Sequence, residues 1–445
     1  MERIIRPTDK FRDNYTAVAA YNTIAKTHDS VFLTGGAGTG KSTLLKLIME
    51  TIDKNHIVIS PTGIAARNVG GKTINEVFNF PPKMIYPSEI FINSCKLNMA
   101  QRQVLWNTDL AIVEEISMVN SSTLDCISDI LKKIKNSSRP FGGTQMLFTG
   151  DLFQLPPVIK DKDDLKRLRY NWGSEFFFDA FSAKELDYKM YELTQFYRQK
   201  DDQNFVWALN EVRKGKLDND LLNLLNEICY VENKSKNVDA VTLTVSKIRA
   251  KDINQLHLSK LPGKVINYVS LTSGKVNQKD PPADFTLSLK VGARVLFLKN
   301  NKKIGYNNGT LGTVISLKEN EIIVRTDDGI EIDVPKEEWI EFEYVYDPVK
   351  KEVKPKEIGM FVQYPLALAW SMTVHKAQGV TLPKVHFDVC NGAFSAGQVY
   401  VALSRCTSID NLSFERPLKM SDIIVSKTVK DFFISKGQKN KLQGL

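Results

Sequence analysis

Apolar residues in this chain gather in short continuous runs. The runs 31–34, 57–60, 110–113, 146–149, 241–245 and 385–389 each end in small or polar residues and lead into a helical pattern. Strands that are apolar on both faces and alternate with helices imply parallel sheets covered on both sides. The first four runs, with helical patterns at 44–49 and 124–134, form one α/β unit. The last two belong to a second sheet whose parts are separated by residues ~275–360. In such sheets ligands collect beyond the carboxyl ends of the strands.

The separating segment has a different rhythm. Short β-type runs at 292–298, 312–316, 321–325 and 330–334 are punctuated by Asn307-Asn308-Gly309 and Asp327-Asp328-Gly329. Asn-Gly and Asp-Gly between β runs signal hairpins, so a small antiparallel barrel is expected as an insertion in the second unit. There is no internal repeat, and the basic, polar stretch 436–445 is expected to fray.

Composition narrows the class. A chain of 445 residues, 42% hydrophobic and 25% charged, is an ordinary globular protein of several domains. No stretch approaches the ~20 apolar residues of a membrane span. The first thirty residues carry Glu2, Asp9 and Asp13 without an apolar core, so no membrane partner and a cytoplasmic location, nucleoid-associated in a bacterium, are expected. Five cysteines, odd in number and without CxxC spacing, indicate neither a disulfide framework nor a zinc site. The net charge is +9, but thirteen acidic and seven basic residues lie between 318 and 357, leaving +15 on the remainder. A polyanion would follow that remainder and avoid the acidic segment.

The most specific chemistry lies between the first strand and its helix. Gly35-Gly36-Ala37-Gly38-Thr39-Gly40-Lys41-Ser42 has P-loop spacing. Gly35, Gly36, Gly38 and Gly40 can take the positive φ angles that turn successive N–H groups toward one anion, and the following helix adds the positive end of its dipole. Lys41 is expected on the β/γ-phosphates of ATP and the Ser42 hydroxyl on Mg2+, with Gly36, Gly38, Thr39, Gly40 and Thr43 completing the cradle. The competing reading, a glycine-rich turn that binds nothing, does not explain the strand before it and the helix after it.

Two acids follow the third run. Glu114 is expected to hold the metal and Glu115 to take a proton from the attacking water, although adjacent acids can also be a solvated turn. Gln154, in a proline-stiffened loop after the fourth run, has an amide able to accept from water and donate to a γ-phosphate oxygen. Arg198 and Arg405 lie far along the chain. A guanidinium supplied from another domain can neutralise a transferring phosphoryl group, but most arginines are surface groups.

Taken together, the P-loop, Glu114-Glu115, Gln154, Arg198, His375-Lys376-Ala377-Gln378-Gly379 and Val401-Ala402-Leu403-Ser404-Arg405 occur in the order and approximate spacing of superfamily-one DNA helicases. The stretches 61–66 and 71–78, and the segment 125–145 ending in Arg139-Pro-Phe-Gly-Gly-Thr-Gln145, resemble those of the bacterial Pif family. That resemblance implies two RecA-like domains with parallel sheets and a Src-homology-like barrel. The first would cover 1–185, with a small inserted element at about 62–105. The second would cover 186–275 and 358–435, the barrel 276–357, and a basic tail 436–445. It implies catalytic Lys41, Glu115, Gln154, Arg198 and Arg405, with Gln378 and Gly379 also on the nucleotide. It further implies a monomer that hydrolyses ATP, moves 5′ to 3′ on single-stranded DNA, and opens forked or tailed duplexes and G-quadruplexes.

Independently, a sequence-tolerant strand track needs hydroxyls and N–H groups for phosphates, cations for attraction and rings for stacking. Thr62, Gly63, Asn75, Phe78, Thr373, His375 and Lys376 are the candidates, with Phe78 equally suited to a core. Three positions depart from the family pattern. Glu114 replaces the usual aspartate, residues 1–34 hold no glutamine for adenine where Asn14 or Asn22 could stand in, and Asn75 replaces a histidine. A translocase that does not unwind and a binding protein switched by ATP are the rival functions. A helicase–nuclease is disfavoured, because no second metal cluster is evident.

Overall fold

The computed structural model describes the chain apart from residues 1–10, 12, 82, 200–201, 231–238, 279–280, 302 and 443–445, and the side chains of 437–442. Six parallel strands form the first sheet in the order β3-β2-β4-β5-β1-β6. These are β1 (Ser30–Gly35), β2 (His56–Ser60), β3 (Lys72–Thr73), β4 (Leu110–Val113), β5 (Gln145–Thr149) and β6 (Tyr188–Leu193). All six residues of β1 are buried because both faces are covered. Val31 and Leu33 pack with Leu44, Leu45 and Ile48 of the helix Lys41–Thr51. Phe32 points the other way, into a cluster with Leu124, Ile127 and Leu131 of the helix Ser121–Ile134. β6 pairs with β1, so the first unit extends beyond residue 185.

The second sheet opens with β7 (Val241–Thr244), and the chain then leaves for antiparallel structure. This comprises β8 (Ile266–Val269), β9 (Leu271–Gly274), β10 (Thr286–Leu289), β11 (Arg294–Phe297), β12 (Leu311–Lys318), β13 (Glu321–Thr326), β14 (Glu331–Asp333), β15 (Glu337–Asp347), β16 (Glu352–Gln363) and β17 (Leu366–Leu368). A five-stranded sheet β14-β13-β12-β11-β17 is joined by β10-β8 and β15-β16-β9. The expected turns fall between β11 and β12 and between β13 and β14, and Tyr268, Leu287, Val295, Phe297, Tyr306, Val324 and Leu366 share one core. These strands run from 266 to 368, wider than 276–357. β18 (Ser371–Thr373), β19 (Val385–Asp388) and β20 (Leu412–Phe414) complete the second sheet, parallel, in the order β18-β7-β19-β20.

Two long-range returns hold the units together. The β15–β16 hairpin reaches the first sheet, where Tyr344 Oη accepts from the Val58 N–H at 3.1 Å and Lys72 pairs with Glu341 at 2.8 Å. Its far end is tied to Asn55, which donates to the Lys351 carbonyl and accepts from the Val353 N–H. The helix Lys427–Leu442 comes back to the first unit, with the Phe432 ring 4.2 Å from Phe178 and Phe433 5.1 Å from Phe153. The stretch expected to fray is therefore helical as far as Leu442, and the segment 427–435 rests on the first unit.

Candidate nucleotide site and interdomain cleft

The cradle is built as its glycines suggest, with one correction. Gly35, Gly38 and Gly40 have φ of 147°, 82° and 88°, whereas Gly36 does not lie in the left-handed region. Gly36 is needed for space: a Cβ there would sit 2.9 Å from the Phe196 ring. Thr39 is buried and donates from its hydroxyl to the Gly36 carbonyl at 2.9 Å, while Ser42 and Thr43 open the helix on its exposed side. Lys41 Nζ donates to the Gly35 and Gly36 carbonyls at 2.8 and 2.9 Å, so the loop's own oxygens hold the ammonium. Burial pushes its pKa down, against the pull of Asp151 and Glu115.

Phe196, Tyr197 and Arg198 roof the loop. The Tyr197 N–H donates to the Gly38 carbonyl at 2.9 Å, and a Cβ on Gly38 would meet Arg198 at 2.7 Å. Asn14 borders this roof, its Nδ2 3.5 Å from Tyr197 Oη, but its oxygen is committed to capping the helix Tyr15–Lys26 through the Ala17 N–H. Asn22 lies within that helix.

The acids sit at the end of β4. Glu114 is buried, with Oε1 3.5 Å from Ser42 Oγ and Oε2 lacking a hydrogen-bond partner among the described residues. Burial, reinforced by the charge of Glu115, pushes its carboxyl up to about 8. Glu115 adopts φ 53°, a left-handed conformation that is strained without glycine and recurs at functional sites. Burial raises its pKa while Lys41 and Arg405 oppose the rise. Gln154 is buried beyond β5, against the turn that carries Gly397.

Both arginines arrive from outside the first sheet and meet. Arg198 donates to the Ser404 carbonyl at 3.0 Å, and Arg405 donates to the Val401 carbonyl and the Ser404 hydroxyl. Neither pairs with a carboxylate among the described residues. Burial and the charge of Arg405 push Arg198 down to about 9. Guanidinium groups keep their protons, so a half-buried Arg198 beside a fully buried Arg405 amounts to a demand for an anion. Gln378 is buried beside them with Nε2 lacking a partner among the described residues, and the neighbouring Ala377 carbonyl accepts from Arg405 at 3.4 Å.

The two units face each other across a cleft. A Cβ on Gly379, whose φ is 77°, would approach Asn68 of the helix Gly63–Val69 to 3.1 Å, which brings the segment of Thr62 and Gly63 to that of Thr373, His375 and Lys376. Thr62 and Thr373 use their hydroxyls to cap the Ala65 and Lys376 N–H groups. Thr373 is buried, His375 half-buried and Lys376 exposed. Burial and Lys247 lower the pKa of His375, favouring neutral imidazole. Phe78 is a correction: it is fully buried and stacked on Phe80 with centroids 5.5 Å apart, a core ring with no face for a base. Asn75 is exposed but its amide ties a loop, donating to the Phe80 and Pro81 carbonyls.

The 125–145 segment is also structural in part. The Asp125 carboxylate accepts from the Trp172 indole, the Phe181 and Ser182 N–H groups and the Ser182 hydroxyl. Sequence reasoning passed over Asp151, Arg213 and Tyr400, which cross between the units behind the cradle. Asp151 and Tyr400 lie inside the motif stretches around Gln154 and Arg405, which was the available signal; Arg213 carried none.

A family model described as PIF1-like helicase matches residues 11–221, and a second, described as helicase, matches 344–442. The ATP-dependent DNA helicase Pif1 of Campylobacter jejuni is 29% identical over 88% of this chain and 90% of its own length. The Bacteroides sp Pif1 structure in complex with ADP-AlF4 is 34% identical, covers 96% of this chain and 97% of that one, and superposes with a TM-score of 0.88. For Bacteroides Pif1 bound to ssDNA the coverage and identity are the same and the TM-score is 0.69. With the P-loop, the acids and the paired arginines gathered at one place, this likeness over nearly the whole length makes the chain a member of the PIF1-like helicase family, an ATP-dependent DNA helicase.

Proposed function

We propose that the protein moves 5′ to 3′ along single-stranded DNA as a monomer and opens tailed or forked duplexes and, as a separate substrate, G-quadruplexes. The observation that carries its ATP-driven core is the convergence of half-buried Arg198 and fully buried Arg405, without carboxylate partners among the described residues, on the cradle headed by Lys41, while the polarity is taken from the family. In this reading Lys41 and the cradle N–H groups bind the phosphates of ATP, Glu115 takes the proton of the attacking water, and Gln154 and Gln378 sense the γ-phosphate. Both arginines stabilise the transferring phosphoryl group and so make turnover depend on closure of the two units.

Ser42 and Glu114 fit Mg2+, since a hydroxyl and a carboxyl group already face each other and Glu114 Oε2 is a buried oxygen without a hydrogen-bond partner among the described residues. Held by these two residues, the ion would supply positive charge against the phosphates. Thr62, Gly63, Thr373, His375 and Lys376 line the strand, with Asn75 at its edge. We take the first RecA-like unit to continue through β6 and the barrel to span 266–368. The test is unwinding of matched 5′- and 3′-tailed duplexes with ATP and Mg2+. Strand separation only from the 5′-tailed substrate is expected; separation only from the 3′-tailed one would reverse the polarity, and none from either would leave a translocase.

A further inference from the structure

Behind the cradle lies a chain of buried polar groups that no step above uses. Tyr400, in the helix Gln398–Leu403 of the second unit, accepts through Oη from the Ala37 N–H of the P-loop at 2.8 Å. The same hydroxyl donates to Asp151 Oδ2 at 3.2 Å. Asp151, just beyond β5, is held in turn by the guanidinium of Arg213, with Nε 3.1 Å from both carboxylate oxygens and Nη2 2.9 Å from Oδ1. Arg213 lies in the helix Gln203–Lys214 and also reaches Glu192 of β6 at 3.2 Å. Tyr400 is 4%, Asp151 0% and Arg213 3% exposed, so water does not compete for these bonds.

Burying an ion pair is costly unless its geometry is good and its remaining valences are filled. Here the fork of Arg213 fixes the carboxylate, and the carboxylate fixes the direction of the Tyr400 O–H. That leaves a lone pair of Oη for the Ala37 N–H. The peptide concerned belongs to the loop whose N–H groups face phosphate, and the hydroxyl that holds it comes from the helix that ends beside Arg405. Gly397, which begins that helix with φ 77°, is pressed against the Gln154 carbonyl so closely that a Cβ would lie 2.3 Å from the oxygen. The Tyr400 hydroxyl and the Gly397 contact therefore fix one end of this helix against both the P-loop and the segment of Gln154.

We propose that Tyr400 is a positioning residue, oriented by Asp151 and Arg213, that registers the P-loop against the second unit and so couples the cradle to Arg405 and to the grip on DNA. It acts through the Ala37 peptide and the arginine helix and takes no proton in the reaction. The proposal rests on the reading of the cradle as the ATP site of a strand-stimulated hydrolase.

The test is Tyr400→Phe, which removes one oxygen and keeps the packed ring, with Arg213→Lys as a second variant that keeps the charge but loses the fork. Turnover is measured with and without single-stranded DNA, and fluorescent ADP binding is titrated separately. For Tyr400→Phe, DNA-stimulated kcat should fall about tenfold, with KM for ATP and the Kd for fluorescent ADP within about threefold of wild type. Arg213→Lys should shift kcat in the same direction, because Asp151 no longer aims the hydroxyl. A purely structural role would instead lower the melting temperature and change KM and kcat together. Tyr400→Phe stimulated as strongly as wild type would overturn the proposal alone, while a wild type with no strand-stimulated turnover would overturn the parent reading with it.

Discussion

Lys41 shows how a single residue can be legible in its chemistry and yet not in the position of its charge. The P-loop spacing assigns it to phosphate, but its ammonium rests on the Gly35 and Gly36 carbonyls. In the proposed reading those two bonds are exchanged for contacts to the nucleotide. Lys41→Ala is expected to abolish ATP turnover and unwinding while single-strand binding in low salt stays measurable by anisotropy; retained unwinding would contradict the site. Phe78 illustrates the opposite case. Its motif suggests a ring for stacking bases, whereas the side chain is fully buried against Phe80. Truncating such a ring to alanine costs about 3–5 kcal/mol. Phe78→Ala should therefore lower the denaturation midpoint strongly, and Phe78→Leu should bind single strands like wild type. Sequence conveys side-chain chemistry at fixed spacing, which was enough to single out Lys41, Glu115, Arg198 and Arg405, and the fold brings these four to one place. It does not convey which face of a five-residue helix such as Ile74–Phe78 is covered, because that depends on Phe80 and on Phe91 of the helix Glu89–Ser94.

Elements were readable where their burial is symmetrical. β1, β2, β4 and β5 are covered on both faces, so each is a short apolar run between polar punctuation. β15 and β16 left no such trace. Their residues are mostly half-exposed, with Glu and Lys interleaved among aromatics, and their partner is in part the first unit, remote in sequence. β6, Tyr-Lys-Met-Tyr-Glu-Leu, is an edge strand partly exposed on both faces and was concealed in the same way. The helix Gln398–Leu403 was legible as a motif, but the reason for Gly397 before it was not. That glycine combines φ 77° with the approach to the Gln154 carbonyl, so alanine meets both backbone strain and a clash. Gly397→Ala should destabilise by about 1–3 kcal/mol and depress DNA-stimulated kcat. Thermal melting and steady-state turnover together check this, and an unchanged kcat would mean that the helix is not held from its N-terminal end.

At the scale of the molecule, the docking of the hairpin and of the last helix on the first unit was not legible, since it rests on contacts between segments hundreds of residues apart. The chain superposes better on the Bacteroides Pif1 form holding ADP-AlF4 than on the form bound to ssDNA, at equal coverage. The hairpin contacts at Val58, Lys72 and Asn55 tie the barrel to the first unit, and a strand-bound arrangement that undocks the hairpin would break them. Part of the binding free energy is then spent on undocking, and weakening the dock should raise affinity by the fraction of competent molecules gained. Tyr344→Phe is the suitable probe, because it removes the contact to the Val58 N–H without altering charge. A hydrogen bond of about 1 kcal/mol predicts a roughly fivefold tighter single-strand Kd. The slope of log affinity against log salt counts neutralised phosphates, about −0.7 for each on a single strand, and should be identical in the two proteins. A changed slope would mean that Tyr344 alters the strand's contacts themselves. An unchanged Kd would mean that the hairpin stays docked when the strand is bound.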